Sequence, residues 1–248
     1  MRPFRSLAAL CALLVGADRI AAQAAVAPPK PPAPFEFSAD IGFVSTSGNS
    51  TVMTLTGGDE LTFTHASWAY RQTFSVVYGT IRDTVETSRW RGGLRAERSF
   101  TRQVGAYALI NFDKDRFSGI EARLEEGVGA AITAINAVTQ KLDFELGLSA
   151  VQSHAIAGLA DRNFLAGRTK GTYRRIFSEK RYVQQLVEYL PNLQNGTDWR
   201  FNSETALIAP VSSHIGLKVA YLYYYQHLPE FGFGNTDRLF STSLQISF

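Results

Sequence analysis

Apolar and polar residues alternate with period two in segment after segment beyond residue 34 of this 248-residue chain. No apolar run there is long enough for a helix to cross a bilayer. The chain ends on an alternating stretch with Phe240, Leu244, Ile246 and Phe248 on one parity and Ser241, Ser243, Gln245 and Ser247 on the other. Together these features predict an all-β fold, a transmembrane antiparallel up-and-down β-barrel of about twelve strands, because alternation puts one residue set on each face of a strand. A terminal aromatic strand of this kind resembles the assembly signal of bacterial outer-membrane barrels.

The N-terminus fits export. Arg2 and Arg5 precede a short apolar run at residues 7–16, and Ala22-Gln23-Ala24 offers small residues around a cleavage point, so residues 1–24 read as a signal peptide. Cys11, the only cysteine, leaves with it. Cleavage also removes Arg2, Arg5, Arg19 and Asp18, which lowers the formal charge from +3 to about +1. No basic cluster with interleaved aromatics is present, which excludes a nucleic-acid partner. Residues 25–34 hold Pro28, Pro29, Pro31, Pro32 and Pro34 and form an extended periplasmic tether. Beyond it only Pro191, Pro210 and Pro229 remain, each at an expected turn, as a sheet requires. The barrel is therefore assigned to residues 35–248.

Strand by strand, Phe35, Phe37, Ala39, Ile41 and Phe43 alternate with Glu36, Ser38, Asp40 and Gly42. Leu55, Leu61 and Phe63 oppose Thr54, Thr56, Glu60 and Thr62. Asp59 falls on the apolar parity, so Gly57-Gly58 is expected to be a bulge. Trp68, Tyr70, Phe74, Val76 and Tyr78 oppose Arg71, Thr73 and Ser75; Trp90, Leu94 and Ala96 oppose Arg89, Arg91 and Arg95. The strand at 104–112 distinguishes its faces poorly. Leu124, Val128, Ala130 and Ile132 then oppose Glu121, Arg123 and Glu125, and Leu142, Phe144, Leu146 and Leu148 oppose Lys141, Asp143 and Glu145. Leu165, Gly167, Gly171 and Tyr173 oppose Arg168, Lys170 and Arg174. In the next strand Gln185 breaks the alternation of Val183, Val187 and Tyr189. Trp199, Phe201 and Leu207 oppose Arg200, Asn202 and Glu204, and Leu217 to Tyr225 precede the closing strand.

Short connections at 65–67, 100–103, 136–140, 178–181 and 210–214 alternate with longer polar ones at 80–88, 113–119, 153–162, 190–198 and 226–236. Barrels with periplasmic termini show this asymmetry. Ser47-Gly48-Asn49-Ser50 is a tight exception, a turn of residues that tolerate positive φ. Aromatics gather at both expected interfaces: Tyr78, Trp90, Tyr189, Trp199, Tyr223 and Tyr225 at one, Trp68, Tyr70, Tyr173, Phe177 and Tyr182 at the other. A soluble sandwich or lipocalin-like barrel also alternates. The signal peptide, the loop asymmetry and the terminal phenylalanine decide for a barrel whose apolar face meets outer-membrane lipid and whose charged face lines a lumen.

Four stretches carry a family resemblance: residues 42–50, Glu188-Tyr189-Leu190-Pro191, residues 229–237 and the closing residues 242–248. They resemble the YdiY-like family of salt-induced outer-membrane proteins, a domain of unknown function. The resemblance implies an outer-membrane location in a Gram-negative bacterium and a link to salt or osmotic stress. It supplies no catalytic residues.

The polar face supports two functional readings. Acidic Glu121, Glu125, Asp143 and Glu145 and basic Arg168, Lys170 and Arg174 are candidate lumen charges. If they pair, they brace the barrel as a passive envelope component, since an unpaired charge in a restricted lumen loses hydration. If they form facing walls of opposite sign, they make a narrow selective channel for small polar solutes or ions. A hydrolase is the third class, but His65, His154, His214 and His227 lack a nucleophile and orienting group, with only the neighbours Ser153-His154 and Ser213-His214 to consider. Scattered histidines offer no metal site, and Asp113 with Asp115 lack the EF-hand pattern, so no cofactor is expected. Gly127 and Gly129 suit close approach in a curved sheet. The expected partners are membrane lipids and, during biogenesis, the β-barrel assembly machinery and periplasmic chaperones.

Overall fold

The structure is a computed structural model that describes residues 34–46, 52–81, 84–156, 159–178 and 181–247. The signal peptide, the tether except Pro34, the turn Ser47-Gly48-Asn49-Ser50 and Phe248 lie outside the described residues. The described chain forms twelve strands: β1 (Phe35–Thr46), β2 (Val52–His65), β3 (Trp68–Ile81), β4 (Thr84–Ser99), β5 (Val104–Asp115), β6 (Ile120–Ala137), β7 (Gln140–Ala155), β8 (Arg162–Ser178), β9 (Arg181–Pro191), β10 (Trp199–Pro210), β11 (Ile215–Gln226) and β12 (Thr236–Ser247). Each pairs antiparallel with its sequence neighbours, and β1 meets β12 through Ser38↔Ser247 to Ile41↔Leu244, so the sheet closes into a barrel. No helix among the described residues is long and apolar enough to cross a membrane.

Contacts between strands that are not neighbours identify the interior, because they can only be made through it. Arg95 of β4 reaches Glu145 of β7, Arg168 of β8 reaches Tyr107 of β5, and Arg89 of β4 reaches Asp237 of β12. The register carries this inward parity around the sheet. The opposite parity holds Ile41, Phe43, Leu94, Ile110, Val128, Leu146 and Leu148, all exposed. Phe240, Leu244 and Ile246 of the closing strand belong to it and are exposed too. An ionic interior under an apolar exterior inverts the arrangement of a water-soluble barrel and suits a lipid surround.

Aromatic rings mark both ends of that apolar surface. At the end that carries the longer loops Trp199 stacks on His227 and meets Tyr189 and Tyr225 at a tilt, with Phe201 edge-on to Tyr223 beside them. Phe63, His65, Trp68 and Tyr70 stack at the end of the short turns. Tyr182 does not join them. It lies on the inward parity opposite Ile208, packs against the buried trio Ala206, Ile208 and Ala220, and receives the Arg174 guanidinium 4.5 Å from its ring centre.

Two other expectations change, and one holds. The β2 ladder runs without a register shift through Gly57 and Gly58, so no bulge returns Asp59 to the interior. Asp59 stays on the outward parity between Ala39 and Phe74, where small Ala39 and Gly57 leave its carboxylate uncrowded. The stretch expected as a long loop at 80–88 is mostly strand, since β3 runs to Ile81 and β4 starts at Thr84. Gln185 does face outward, and its amide is satisfied there: it donates to Leu186 O and Ser203 Oγ and accepts from Thr205 Oγ1. A hydrogen-bonded amide on a lipid-facing surface avoids the cost of an orphan polar group.

The β2–β3 hairpin turns on Ala66-Ser67, and Ala66 has a φ of 52°. Glycine is the default at such a turn, because an L side chain in the left-handed region costs about 1–2 kcal/mol. Glycine loses about 0.5–1 kcal/mol more backbone entropy on folding. Ala66→Gly is therefore expected to stabilise the barrel by up to about 1 kcal/mol, read as a higher urea midpoint.

Candidate functional site

Alternation aims most charged residues of β4 to β10 at the barrel axis, with Arg98, Glu126 and Arg175 on the outward parity, and closure brings the inward ones together. At mid-height Arg168 of β8 is 5 % exposed and holds three partners: Glu145 at 2.6 Å, Glu188 at 2.8 Å and the Tyr107 hydroxyl, which accepts from Nη1 at 3.0 Å. Glu145 also accepts from Arg95 at 2.9 Å and lies 3.6 Å from Lys170. Arg95 lies 4.1 Å above the Tyr107 ring and donates to Glu97 at 2.7 Å. Glu188 accepts from Asn202, and Glu125 accepts from Ser149 at 2.8 Å while standing 3.8 Å from Arg168. The result is a continuous ionic brace running from β4 to β10 along one side of the lumen.

The sequence-predicted charges divide among different places. Glu125, Glu145, Arg168 and Lys170 belong to the brace. Asp143 lies toward the turn end, where Thr133 donates to it at 2.7 Å and Lys141 is 3.3 Å away. Arg174 also lies there, donating to Gln184. Glu121 leaves the group: a bulge between Ile120 and Ala122 takes it off the parity of Arg123 and Glu125, and it pairs with Lys114 at 2.6 Å and Arg116 at 3.8 Å at the rim. The acidic and basic rows do not face each other across the lumen. They lie on adjacent strands with Glu145 directly opposite Lys170, so they neutralise each other locally.

The other wall differs. Many inward positions of β12 and β1 to β3 are small, Ser241, Ser243, Ser38, Gly42, Thr56, Gly58 and Thr73, as is Gly93 of β4, with Asp40 among them paired to Lys218 at 3.4 Å. Glu60 and Arg71 point inward with side chains 51 % and 45 % exposed, and Ser75, in mid-strand on the same parity, is exposed as well. Large side chains thus fill one side of the interior, while Glu60, Arg71 and Ser75 on the other side stay exposed.

The loop end is drawn together over this lumen. Arg162 pairs with Glu230 and stands 3.8 Å from Asp198, which itself accepts from Asn192, so three connections meet at one guanidinium. Gly119, with φ 76°, lets the β5–β6 connection lie against Glu230 and Phe233. Nearby, His154 and the Ala155 N–H hydrogen-bond Asp161 and hold its carboxyl below the usual aspartate range. That clip is present at neutral pH and is lost only as pH falls through the lowered value. Beneath the loops a pocket of about 500 Å³, open to solvent, is lined by Arg89, Arg91, Arg123, Arg200, Asp113, Asp115, Asp237 and Tyr224 among others. Alternation alone placed the four arginines inward, whereas Asp113 and Asp115 were expected in a connection, and nothing in the spacing announced that strands β4, β6, β10 and β12 converge there.

Of the hydrolase candidates, Ser213 and His214 hydrogen-bond at 2.8 Å in the exposed β10–β11 turn, whereas Ser153 and His154 separate. Ser153 is buried and inward, 3.3 Å from Arg123 Nε, whereas His154 is exposed and bound to Asp161. Glu230 is occupied by Arg162, and His227 stacks on Trp199.

Among known proteins, the chain is 24 % identical over 215 residues to the uncharacterized protein YdiY of Escherichia coli (strain K12), covering 86 % of this chain and 83 % of that one. Its fold is similar to that of the NanC porin, with 12 % identity, a TM-score of 0.49 and coverage of 85 % and 97 % of the two chains. The translocator domain of the autotransporter NalP from Neisseria meningitidis superposes with 13 % identity and a TM-score of 0.46 over 86 % of each chain. Residues 39–248 match the family described as protein of unknown function, DUF481, and the chain belongs to that family.

Proposed function

We propose that this protein is an integral outer-membrane barrel acting as a narrow passive pore for small polar solutes, with the Arg168 network as its internal brace. The observation that carries the reading is the exposure of inward-facing Glu60, Arg71 and Ser75 opposite a wall whose charges are buried. A closed barrel leaves no route for water to mid-strand Ser75 except along the axis. Hydroxyls, the weakly held Glu60–Arg71 pair and the Asp40–Lys218 pair line that route, a surface that small hydrated solutes can cross without strong binding. No catalytic step is assigned: Ser153 and His154 belong to opposite faces, and Ser213 and His214 sit in an exposed turn away from the lumen pocket. Lipid surrounds the outward parity, and the assembly machinery and periplasmic chaperones handle the chain before insertion.

Purified protein in planar bilayers tests this. The expected result is small, uniform conductance steps, cut by roughly half or more in Ser75→Trp, whose indole fills the open side. Absence of any steps from correctly folded protein would remove the pore. The remaining reading is then a structural envelope barrel associated with salt or osmotic stress, which the burial of Arg168 among three carboxylates favours.

A further inference from the structure

The loop-end pocket holds more positive charge than its carboxylates can pair. Asp115 and Asp237 are both drawn to Arg89. Asp113 pairs with Arg91 at 3.0 Å and is 4.0 Å from Arg123. No ion pair among the described residues involves Arg200, and its Nε and Nη2 are shut off from solvent with no hydrogen-bond partner. Arg123, 6 % exposed, donates to Ser153 Oγ at 3.3 Å and has Asp113 4.0 Å away, while Arg200, Arg162 and Arg91 add positive charge around it. These arginines arrive from β4, β6, β8 and β10, so the convergence is made by the closed barrel and not by one strand.

A guanidinium keeps its charge inside a protein, and a buried N–H without an acceptor is costly. An Arg200 fork short of acceptors, beside the Arg123 guanidinium, therefore defines the missing partner chemically. It is an anion, small enough to enter beneath the loops, with two or more oxygens to accept from the planar fork. Tyr224 supports the geometry, because Arg89 and Arg91 lie 4.6 and 4.3 Å from its ring centre and are held back along that side. Asn202, which also lines the pocket, ties it to the brace through Glu188. We propose that the loop-end pocket is a binding site for a small oxyanion, a carboxylate, phosphate or sulfate group, gripped between Arg200 and Arg123. The inference concerns occupancy and stands whether or not the lumen conducts.

Isothermal titration of the folded full barrel in detergent, at constant ionic strength, tests it with sodium acetate, sodium phosphate and sodium sulfate against sodium chloride. At least one oxyanion is expected to bind saturably where chloride does not, and the three arms tell a carboxylate from a tetrahedral group. Arg200→Gln is expected to weaken that binding about tenfold or more, and Arg200→Lys, which keeps the charge without the fork, by less. If Arg200→Gln does not fold, judged by heat-modifiable gel migration, Arg123→Gln carries the same expectation. Folded wild-type protein that binds none of the three above chloride, or a folded Arg200→Gln that binds as tightly as wild type, overturns the site. A barrel that conducts but does not bind loses this inference alone; one that binds but does not conduct loses the pore alone.

Discussion

Replacing Arg168 by Met is expected to destabilise the barrel by about 3–5 kcal/mol, the range for removing one partner of a buried charge pair and leaving the other uncompensated. Arg168 is the cation that Glu145 and Glu188 share, and Glu125 stands 3.8 Å from it. Arg95 and Lys170 still serve Glu145 after the change, but Glu188 keeps only the Asn202 amide as a direct partner. Arg174→Met is the matched control. It lies on the same strand and the same parity, yet its contacts are the neutral Gln184 amide and the Tyr182 ring, so its loss strands no carboxylate. Its expected cost is about 1.5 kcal/mol, the low end for a hydrogen bond made by a charged group. Urea midpoints of the two refolded variants decide the matter, and equal costs would show that the brace holds nothing. Under the proposed pore, Arg168→Met also removes bulk from the filled side, so its conductance should exceed that of wild type.

The contrast between Arg168 and Arg174 also shows how far the sequence could be read. Both belong to one basic row by alternation, and alternation placed both inward. Strand number and most facing assignments follow from the same period, because lipid outside and water inside leave a strand little freedom to slip. What the period cannot carry is the partner of an inward charge. Arg95 meets Glu145 and Arg89 meets Asp237 only after the barrel closes, across 50 and 148 residues of sequence. The unbalanced pocket at Arg200 is legible in three dimensions for the same reason. Glu121 was misplaced because a one-residue bulge is invisible to a parity count, and Gln185 broke the pattern because its hydrogen bonds to Ser203 and Thr205 run between strands. The glycines were legible in kind, since close approach was expected at Gly129, but Tyr107 as the approaching group was hidden in a strand whose faces looked alike.

Gly147→Ala is expected to cost at least about 3 kcal/mol, beyond the usual range for one extra methyl in a packed interior. Gly147 lies directly opposite Gly129, and Gly129 lies opposite Tyr107. The two glycines leave a shallow floor on which the Tyr107 ring rests, and that ring is only 4 % exposed. A Cβ at 147 would stand 2.5 Å from the Tyr107 hydroxyl and 2.5 Å from the Val128 carbonyl oxygen. The hydroxyl could move, but it accepts from Arg168, and the ring supports Arg95, so displacing it disturbs two guanidinium groups of the brace. The carbonyl belongs to a paired strand and cannot yield cheaply. Tyr107→Phe in the Gly147→Ala background should therefore recover only part of the loss. Gly92→Ala gives the contrast, because its added methyl meets nothing within 4 Å and glycine in a strand interior is itself unfavourable, so no loss is expected. Combining Gly147→Ala with Arg168→Met should cost less than the sum of the two single changes, since both act on one network. Strict additivity of the urea midpoints would instead mean that Tyr107 does not couple the glycine floor to the charges above it.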